Sequence, residues 1–319
     1  MERYTIRQFN NDFPDADACL DYIVSGIYPE WTGGLIRCRK CEQLTKHYRI
    51  TNRKAYACET CGTHVYPLAG TIFEKSSTPL DSWFYAIYLM AQTRCGISAK
   101  QLERELGVTY KTAWRMFKQI RALFDEDGGP LQGTVEVDET FVGGKPRYRN
   151  GQQPPKDEFG NTRRGPRSKD HPTQKVPVVG MVERGGNVKA WVTPDVKSRT
   201  IRPLMTEHVL PATMVFTDEA RQYGLVRRAG YEHRRVNHSA KVYVDGDVHT
   251  NTMEGFWALL KTGILGAHHS VGANHLQSYV NEYTFRYNHR DDETPMFRTI
   301  TQRVGKVRAG QQGEYAPLG

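Results

Sequence analysis

The sequence lacks any long hydrophobic run. Its longest apolar stretch, Trp83–Ala91, has nine residues, whereas a helix needs about 20 apolar residues to cross a bilayer. Residues Met1–Asn10 also lack the apolar core that a secretory signal peptide carries. These absences argue against a membrane protein and against export, so we expect a soluble protein that acts in the cytoplasm.

Acidic residues are the next shortage. The 319 residues include 35 Asp and Glu against 44 Lys and Arg, a formal net charge of +9. A hydrophobic content of 38% is enough for one large packed domain with small accessories. The basic excess favours a polyanionic partner such as nucleic acid, although it also fits a basic protein with no such partner.

Cysteine is scarce, and most of it is paired in sequence. Four of the six cysteines form two CxxC pairs with sixteen residues between them (42–57). In a reducing compartment this spacing indicates a tetrahedral zinc site rather than disulfides. His47 and His64 are possible substitute ligands, and the alternative is four unconnected thiols. The predicted ligands are Cys38, Cys41, Cys58 and Cys61.

A helical stretch follows the cysteines. Ser98 is positioned to cap one helix, Gly107 breaks it, and Thr109 is positioned to cap the next. This is the outline of a helix-turn-helix. The second helix carries a basic face at i, i+4 and i+7, which suits phosphates or a major groove, although an ordinary helical hairpin with solvated basic residues has the same pattern. The face consists of Lys111, Arg115 and Lys118.

After a Gly-rich linker the chain changes to Val- and Thr-rich strands, followed by helices. Predicted strands cover 134–141, 176–183, 188–192 and 214–217, and predicted helices cover 200–209, 219–229, a segment from about 251, and 274–289. This order predicts an α/β domain in which the first three strands form a meander. The predicted domains are an N-terminal helical segment (1–37), a zinc ribbon (38–78), a helix-turn-helix (79–124), an α/β catalytic domain (131–290) and a C-terminal tail (291–319).

A basic insertion, residues 144–175, separates the first two strands of that domain. From Lys145 to Lys175 it holds nine Lys or Arg and three acidic residues. Long structureless loops inside a domain are uncommon and often functional, which favours an arm that orders on DNA over a merely solvated insertion. The residues expected to touch DNA are Lys145, Arg147, Arg163, Arg164 and Arg167.

Three carboxylates carry the strongest functional signal. Asp138 lies in one apolar strand, Asp218 ends another, and Glu254 lies in a helix. Converging carboxylates repel each other unless a cation holds them, so they predict a site for divalent magnesium. Asn251 and Lys261, three residues before and seven after Glu254, share its helical face. Glu136 and Glu139 are rivals of Asp138, and the pleat points Glu139 to the opposite face.

The arrangement of these motifs resembles the ISXO-like insertion-sequence transposases of the DDE superfamily, which have an RNase-H-like core. The resemblance is carried by Val137–Thr140, Gly143–Lys145, Asn251–Lys261 and Tyr283–Asn288, together with the zinc ribbon and the helix-turn-helix before them. It covers roughly residues 13–290. The resemblance implies a transposase that binds the terminal inverted repeats of its own element and acts on target DNA, as a homodimer or larger assembly.

The resemblance also implies roles for individual residues. Asp138, Asp218 and Glu254 would hold two magnesium or manganese ions for DNA cleavage and strand transfer. Asn251 is an alternative third ligand, although a carboxylate suits a hard cation better. Lys261 would contact a phosphate near the scissile bond. The competing functions are a regulatory DNA-binding protein of the same fold and an RNase-H-like nuclease without strand transfer.

Overall fold

The computed structural model of the protein describes residues 4–126, 128–143, 175–217, 230–235 and 249–305. The contacts among them define two compact units. The first contains residues 4–126 and 289–305, and the second contains the described residues between 128 and 288. Within the described residues, no helix combines the length and apolar character needed to cross a membrane.

The first unit begins with two helices. Helix α1 spans Ile6–Asp12 and starts with a reciprocal capping box between Thr5 and Gln8. Helix α2 spans Ala16–Ile27, and the carboxylate of Asp15 accepts hydrogen bonds from the first-turn amides. Both helices lie within residues 1–37, the segment that was expected to be helical.

A four-stranded antiparallel sheet follows, in the order β1-β2-β3-β4. Its strands are β1 (Leu35–Arg37), β2 (Leu44–Ile50), β3 (Ala55–Cys58) and β4 (His64–Val65). Each CxxC pair lies in the turn between two of these strands, so hairpin pairing brings the two cysteine turns to the same end of the sheet.

Helices complete the first unit. Helix α3 spans Leu80–Gln92, α4 spans Ala99–Leu106 and α5 spans Tyr110–Arg121. Ser98 caps α4, Gly107 ends it with a φ of 62°, and Thr109 caps α5, as the sequence predicted. Helix α9 (Met296–Gln302) packs against α3, so the segment expected as a C-terminal tail contributes a helix to this unit.

A cluster of charged side chains around His289 links the two segments of chain that make up this unit. His289 lies 3.0 Å from Glu126 and 2.5 Å from Asp292, and Arg303 lies 3.6 Å from Glu126. Burial lowers the pKa of His289, but the hydrogen bonds to Glu126 and Asp292 outweigh it and raise that pKa above 6.5. The protonated imidazole therefore joins residue 126, where the chain leaves the unit, to residue 289, where it returns.

The second unit is built on a mixed five-stranded sheet in the order β7-β6-β5-β8-β9. Strands β5, β6 and β7 pair antiparallel, while β8 is parallel to β5 and β9 is parallel to β8. The first four strands match the predicted segments to within one residue, and β9 was not predicted. Their bounds are Thr134–Val142, Val176–Glu183, Val188–Val192, Met214–Thr217 and Glu232–Arg235 for β5 to β9.

Helices cover both faces of this sheet. Helix α6 (Ser198–His208) packs on one face, and α7 (Asn251–Gly263) and α8 (Ala273–Asn288) pack on the other. Burial of the two apolar faces is the main stabilising contribution to such a layered unit. The predicted α/β domain, in which the first three strands form a meander, is confirmed, whereas the predicted helix at 219–229 lies outside the described residues.

Candidate functional site

The pleat of strand β5 separates its acidic residues. Val135 and Val137 pack in the core that includes α6, whereas Val142 packs in the core that includes α7. Because side chains alternate along a strand, Glu136 and Asp138 face α7. Glu139 belongs to the opposite face, as predicted from the sequence.

Asp138 is held against α7 by a tryptophan. The indole Nε1 of Trp257 donates a hydrogen bond of 3.0 Å to Oδ2 of Asp138. Trp257 approaches so closely because Gly180 is the β6 residue that pairs with Asp138. A Cβ at Gly180 would lie 2.6 Å from the Trp257 ring and 2.3 Å from the Met253 side chain. The sequence alone does not reveal this hydrogen bond.

Helix α7 carries the other predicted active-site residues. Trp257 lies three residues after Glu254 and four before Lys261, about one helical turn from each. Asn251 is the first residue of the helix. Asn251, Glu254 and Lys261 are all exposed, so their side chains are accessible to a ligand.

Strand β8 leads toward the second predicted carboxylate. It pairs in parallel with β5, with Val135 opposite Val215 and Glu136 opposite Phe216. The strand ends at Thr217, and Asp218 lies outside the described residues. The structure therefore brings Asp138 and α7 together beside the strand that precedes Asp218.

Glu136, the rival of Asp138, is fully buried and already engaged. Its carboxylate accepts hydrogen bonds from Arg184, from the Thr252 hydroxyl and from the backbone amide of Met253. Three donors occupy most of the roughly four acceptor sites of a carboxylate, and no surface of Glu136 is exposed to a ligand. Among the acids of β5, Asp138 is therefore the better candidate for the active site.

The four predicted zinc ligands converge in the first unit. Their sulfur atoms all lie within 4.8 Å of one another, with Sγ of Cys38 3.6 Å from that of Cys61 and Sγ of Cys41 3.8 Å from that of Cys58. Within the part of the chain that the structure describes, these cysteines are the one group of three or more possible ligands that meets so closely. Four clustered sulfurs fit a tetrahedral zinc ion, and His47 and His64 are not members of the group.

The two cysteine turns have the same backbone pattern. In the first, the amide of Cys38 donates to the carbonyl of Gln43 and the amide of Glu42 donates to the carbonyl of Cys38. In the second, Cys58, Thr63 and Gly62 repeat these bonds. Glu42 and Gly62 both have positive φ, 58° and 67°. The turns are therefore equivalent knuckles, although only one has glycine at the left-handed position.

Hydrogen bonds shift the pKa values of the clustered thiols in different directions. The hydrogen bond between Cys58 Sγ and Thr45 Oγ1, at 3.2 Å, is the main cause that lowers the pKa of Cys58 to about 5. The bond to Thr63 likewise lowers the pKa of Cys61, whereas the hydrogen bond with Cys61 raises the pKa of Cys41. Thiolate is the form that ligates zinc.

The basic face predicted on α5 is exposed. Lys111, Arg115 and Lys118 all lie on the exposed side of the helix. Arg115 also donates a hydrogen bond of 2.9 Å to the carbonyl of Glu74, so part of its guanidinium has a structural role. The predicted DNA contacts of the basic insertion lie outside the described residues: Lys145, Arg147, Arg163, Arg164 and Arg167.

Comparison with protein families gives one match in each unit. Residues 130–288 match the ISXO2-like transposase domain, and residues 14–64 match the transposase zinc-ribbon domain. The chain is also 30% identical over 263 residues to a protein of Halobacterium salinarum described as an uncharacterized protein in transposable element ISH50, a match that covers 80% of this chain and 86% of the relative. The chain belongs to the ISXO2-like transposase family. The α/β unit is therefore the DDE transposase domain of that family, and its mixed sheet flanked by helices agrees with the fold class expected from the sequence.

Two further similarities are weaker. An uncharacterized transposase-like protein of Haemophilus influenzae is 29% identical over 100 residues, which cover 31% of this chain and 80% of that protein. Among solved structures, a pre-cleavage Mos1 transpososome is 11% identical, with a TM-score of 0.27 over 70% of this chain and 76% of that one. Because that score is low, the fold assignment depends on the family match and on the observed sheet.

Proposed function

We propose that this transposase binds the terminal inverted repeats of its element and catalyses DNA cleavage and strand transfer with divalent metal ions. The observation that supports this most directly is the hydrogen bond from Trp257 to Asp138. It joins the strand that bears one carboxylate to the helix that bears Asn251, Glu254 and Lys261. Asp218, the next residue after β8, is proposed as the other strand carboxylate.

In this proposal each residue of the site has a defined task. Asp138, Asp218 and Glu254 would ligate two magnesium or manganese ions, with Asn251 as the alternative to Glu254. Such ions activate the attacking water or 3′-hydroxyl and stabilise the leaving oxygen. Trp257 holds one oxygen of Asp138 in a fixed orientation. Lys261 would bind a DNA phosphate as a point charge.

DNA recognition is assigned to the first unit. We propose that α5 enters a groove or lies along the phosphate backbone, with Lys111, Arg115 and Lys118 toward the DNA. A zinc ion held by the four cysteines would have a structural role, because four thiolates would complete its shell and leave no position for substrate. The residues predicted in the 144–175 insertion would add contacts to DNA, and joining two element ends implies a dimer or larger assembly.

The test uses the full-length protein, its terminal-repeat DNA and magnesium. The Asp138→Asn variant should lose cleavage and strand transfer while it binds the repeats with wild-type affinity. Normal activity of this variant would refute the proposed site. Wild-type protein that binds the repeats tightly but never cuts would instead be a regulatory DNA-binding protein, and one that cuts without joining would be a nuclease.

A further inference from the structure

Glu136 is the most buried acid near the proposed active site, and the proposed chemistry does not use it. Its side chain has no exposed surface, and it lies on the same face of β5 as Asp138, two residues away. Burying a carboxylate is costly unless it is paired and hydrogen-bonded. The partners of this carboxylate therefore indicate why it is there.

The first set of partners is the amino-terminal turn of α7. The carboxylate accepts 2.9 Å and 3.0 Å hydrogen bonds from the Thr252 hydroxyl and the Met253 amide. Thr250, the residue at the cap position, makes no side-chain cap of its own. Glu136, a residue of β5, thus caps α7, and its negative charge suits the positive end of the helix dipole.

The second partner is Arg184, which connects this cap to the rest of the sheet. Its Nε lies 2.7 Å from Glu136, and its Nη2 donates a 2.8 Å bond to the carbonyl of His249, just before α7. Its guanidinium also lies 4.6 Å from the ring centroid of Phe216 in β8. The Glu136–Arg184 ion pair therefore contacts three elements of the proposed site. They are β5, which bears Asp138, β8, which precedes Asp218, and the start of α7, which bears Glu254.

We propose that Glu136, paired with Arg184, is a positioning residue that fixes the first turn of α7, and with it Asn251 and Glu254, relative to Asp138. This role rests on the proposed function of those residues. A hydrophobic residue at the same place would fill the space, but it would not cap the helix or specify its rotation about the axis. Replacing a buried ion pair by well-packed hydrophobic residues is often neutral or stabilising, and in some proteins the buried polar group instead fixes a single arrangement.

The test compares Glu136→Gln with Glu139→Gln, the same change one residue along β5 on the opposite face. Glutamine keeps the size of the side chain but loses the charge that three donors share. Glu136→Gln should increase amide hydrogen exchange at residues 252–256 about tenfold or more, while exchange in β6 stays as in the wild type. Strand transfer should fall about 100-fold, with terminal-repeat affinity unchanged. The Glu139→Gln variant should match the wild type in all three measurements.

If the amides at the start of α7 exchange at the same rate in Glu136→Gln as in the wild type, the inference is overturned. If that variant does not fold, Thr252→Val deletes one of the hydrogen bonds without burying an unpaired group, and it should raise exchange at the same amides; if it does not, the inference fails. Hydrogen exchange can be measured on a protein that has no activity. A wild-type protein that lacks strand transfer would therefore refute the proposed function, and the exchange rates would still decide the role of Glu136.

Discussion

Gly180→Ala is the change that most directly probes how α7 is seated on the sheet. The added Cβ would lie 2.6 Å and 2.7 Å from two carbons of the Trp257 ring and 2.3 Å from Cε of Met253. Carbon atoms in contact are about 3.5–4.0 Å apart, so the ring has to retreat by roughly 1 Å. Met253 ends in a flexible thioether that can move aside, whereas the Trp257 ring is packed in a buried core.

The expected cost has two parts. Overpacking a core costs about 1–3 kcal/mol. Losing the hydrogen bond from Trp257 to the Asp138 carboxylate costs about 1.5–3 kcal/mol more. The unit should therefore lose roughly 2.5–6 kcal/mol, which lowers its unfolding midpoint by at least about 5 °C.

Calorimetry of the full chain measures this midpoint, and Gly255→Ala provides the matched control. Gly255 is an exposed residue of α7, and a Cβ there meets nothing within 4 Å. Alanine in a helix interior should stabilise by about 1 kcal/mol relative to glycine. The two Gly→Ala changes should thus shift the midpoint in opposite directions. An unchanged or raised midpoint for Gly180→Ala would refute the described seating of α7.

Three further predictions follow from other contacts. Trp257→Phe, which keeps an aromatic ring but deletes the indole N–H, should lower strand transfer more than terminal-repeat binding in parallel assays; equal losses would count against an orienting role. Gly62→Ala should destabilise the zinc ribbon by about 1–2 kcal/mol, while Glu42→Gly at the equivalent left-handed position should stabilise it. The chelator concentration that releases zinc measures both effects, and shifts of the same sign would contradict the equivalence of the knuckles. Because the folded-state pKa of His289 is raised, its contribution to stability is full below the unfolded pKa of about 6.5 and is lost as pH rises through the folded pKa. The unfolding midpoint of the wild type should fall as the pH rises from 6 to 9, and that of His289→Asn should change less. An equal dependence of the two midpoints on pH would exclude this linkage.

Local signals were enough to predict most elements of the fold. Ser98, Gly107 and Thr109 mark helix ends through short-range hydrogen bonds and a left-handed φ, which depend on a few neighbouring residues. The apolar strands of the second unit were also predictable, because their Val-rich segments are buried on both faces of the sheet.

The elements that were missed depend on contacts distant in sequence. Strand β9, with the sequence Glu-His-Arg-Arg, has no apolar alternation and forms through parallel pairing with β8. Helix α9 is short, and its Phe297 is buried among aromatic rings from α1 and α3. Neither kind of stabilisation can be seen in a local sequence window.

The candidate site, like the fold, was predictable where it depends on local sequence and not where it depends on distant contacts. The carboxylates and the face shared by Glu254 and Lys261 follow from residue type and helical spacing. The partners of Glu136 could not be predicted, since Arg184 and Thr252 are 48 and 116 residues away in the chain. Alternation places Glu136 on the face of Asp138, but only the tertiary structure distinguishes a capping carboxylate from a metal ligand.

The most direct test of the central claim is strand transfer by the wild-type protein. Precut terminal-repeat ends, a supercoiled plasmid and magnesium are incubated with the full chain, and the plasmid junctions are sequenced. The proposed function predicts that the ends become covalently joined to the plasmid, and that chelation of magnesium abolishes the joining. Plasmid that is only nicked, or left intact with the ends bound but unjoined, would contradict it.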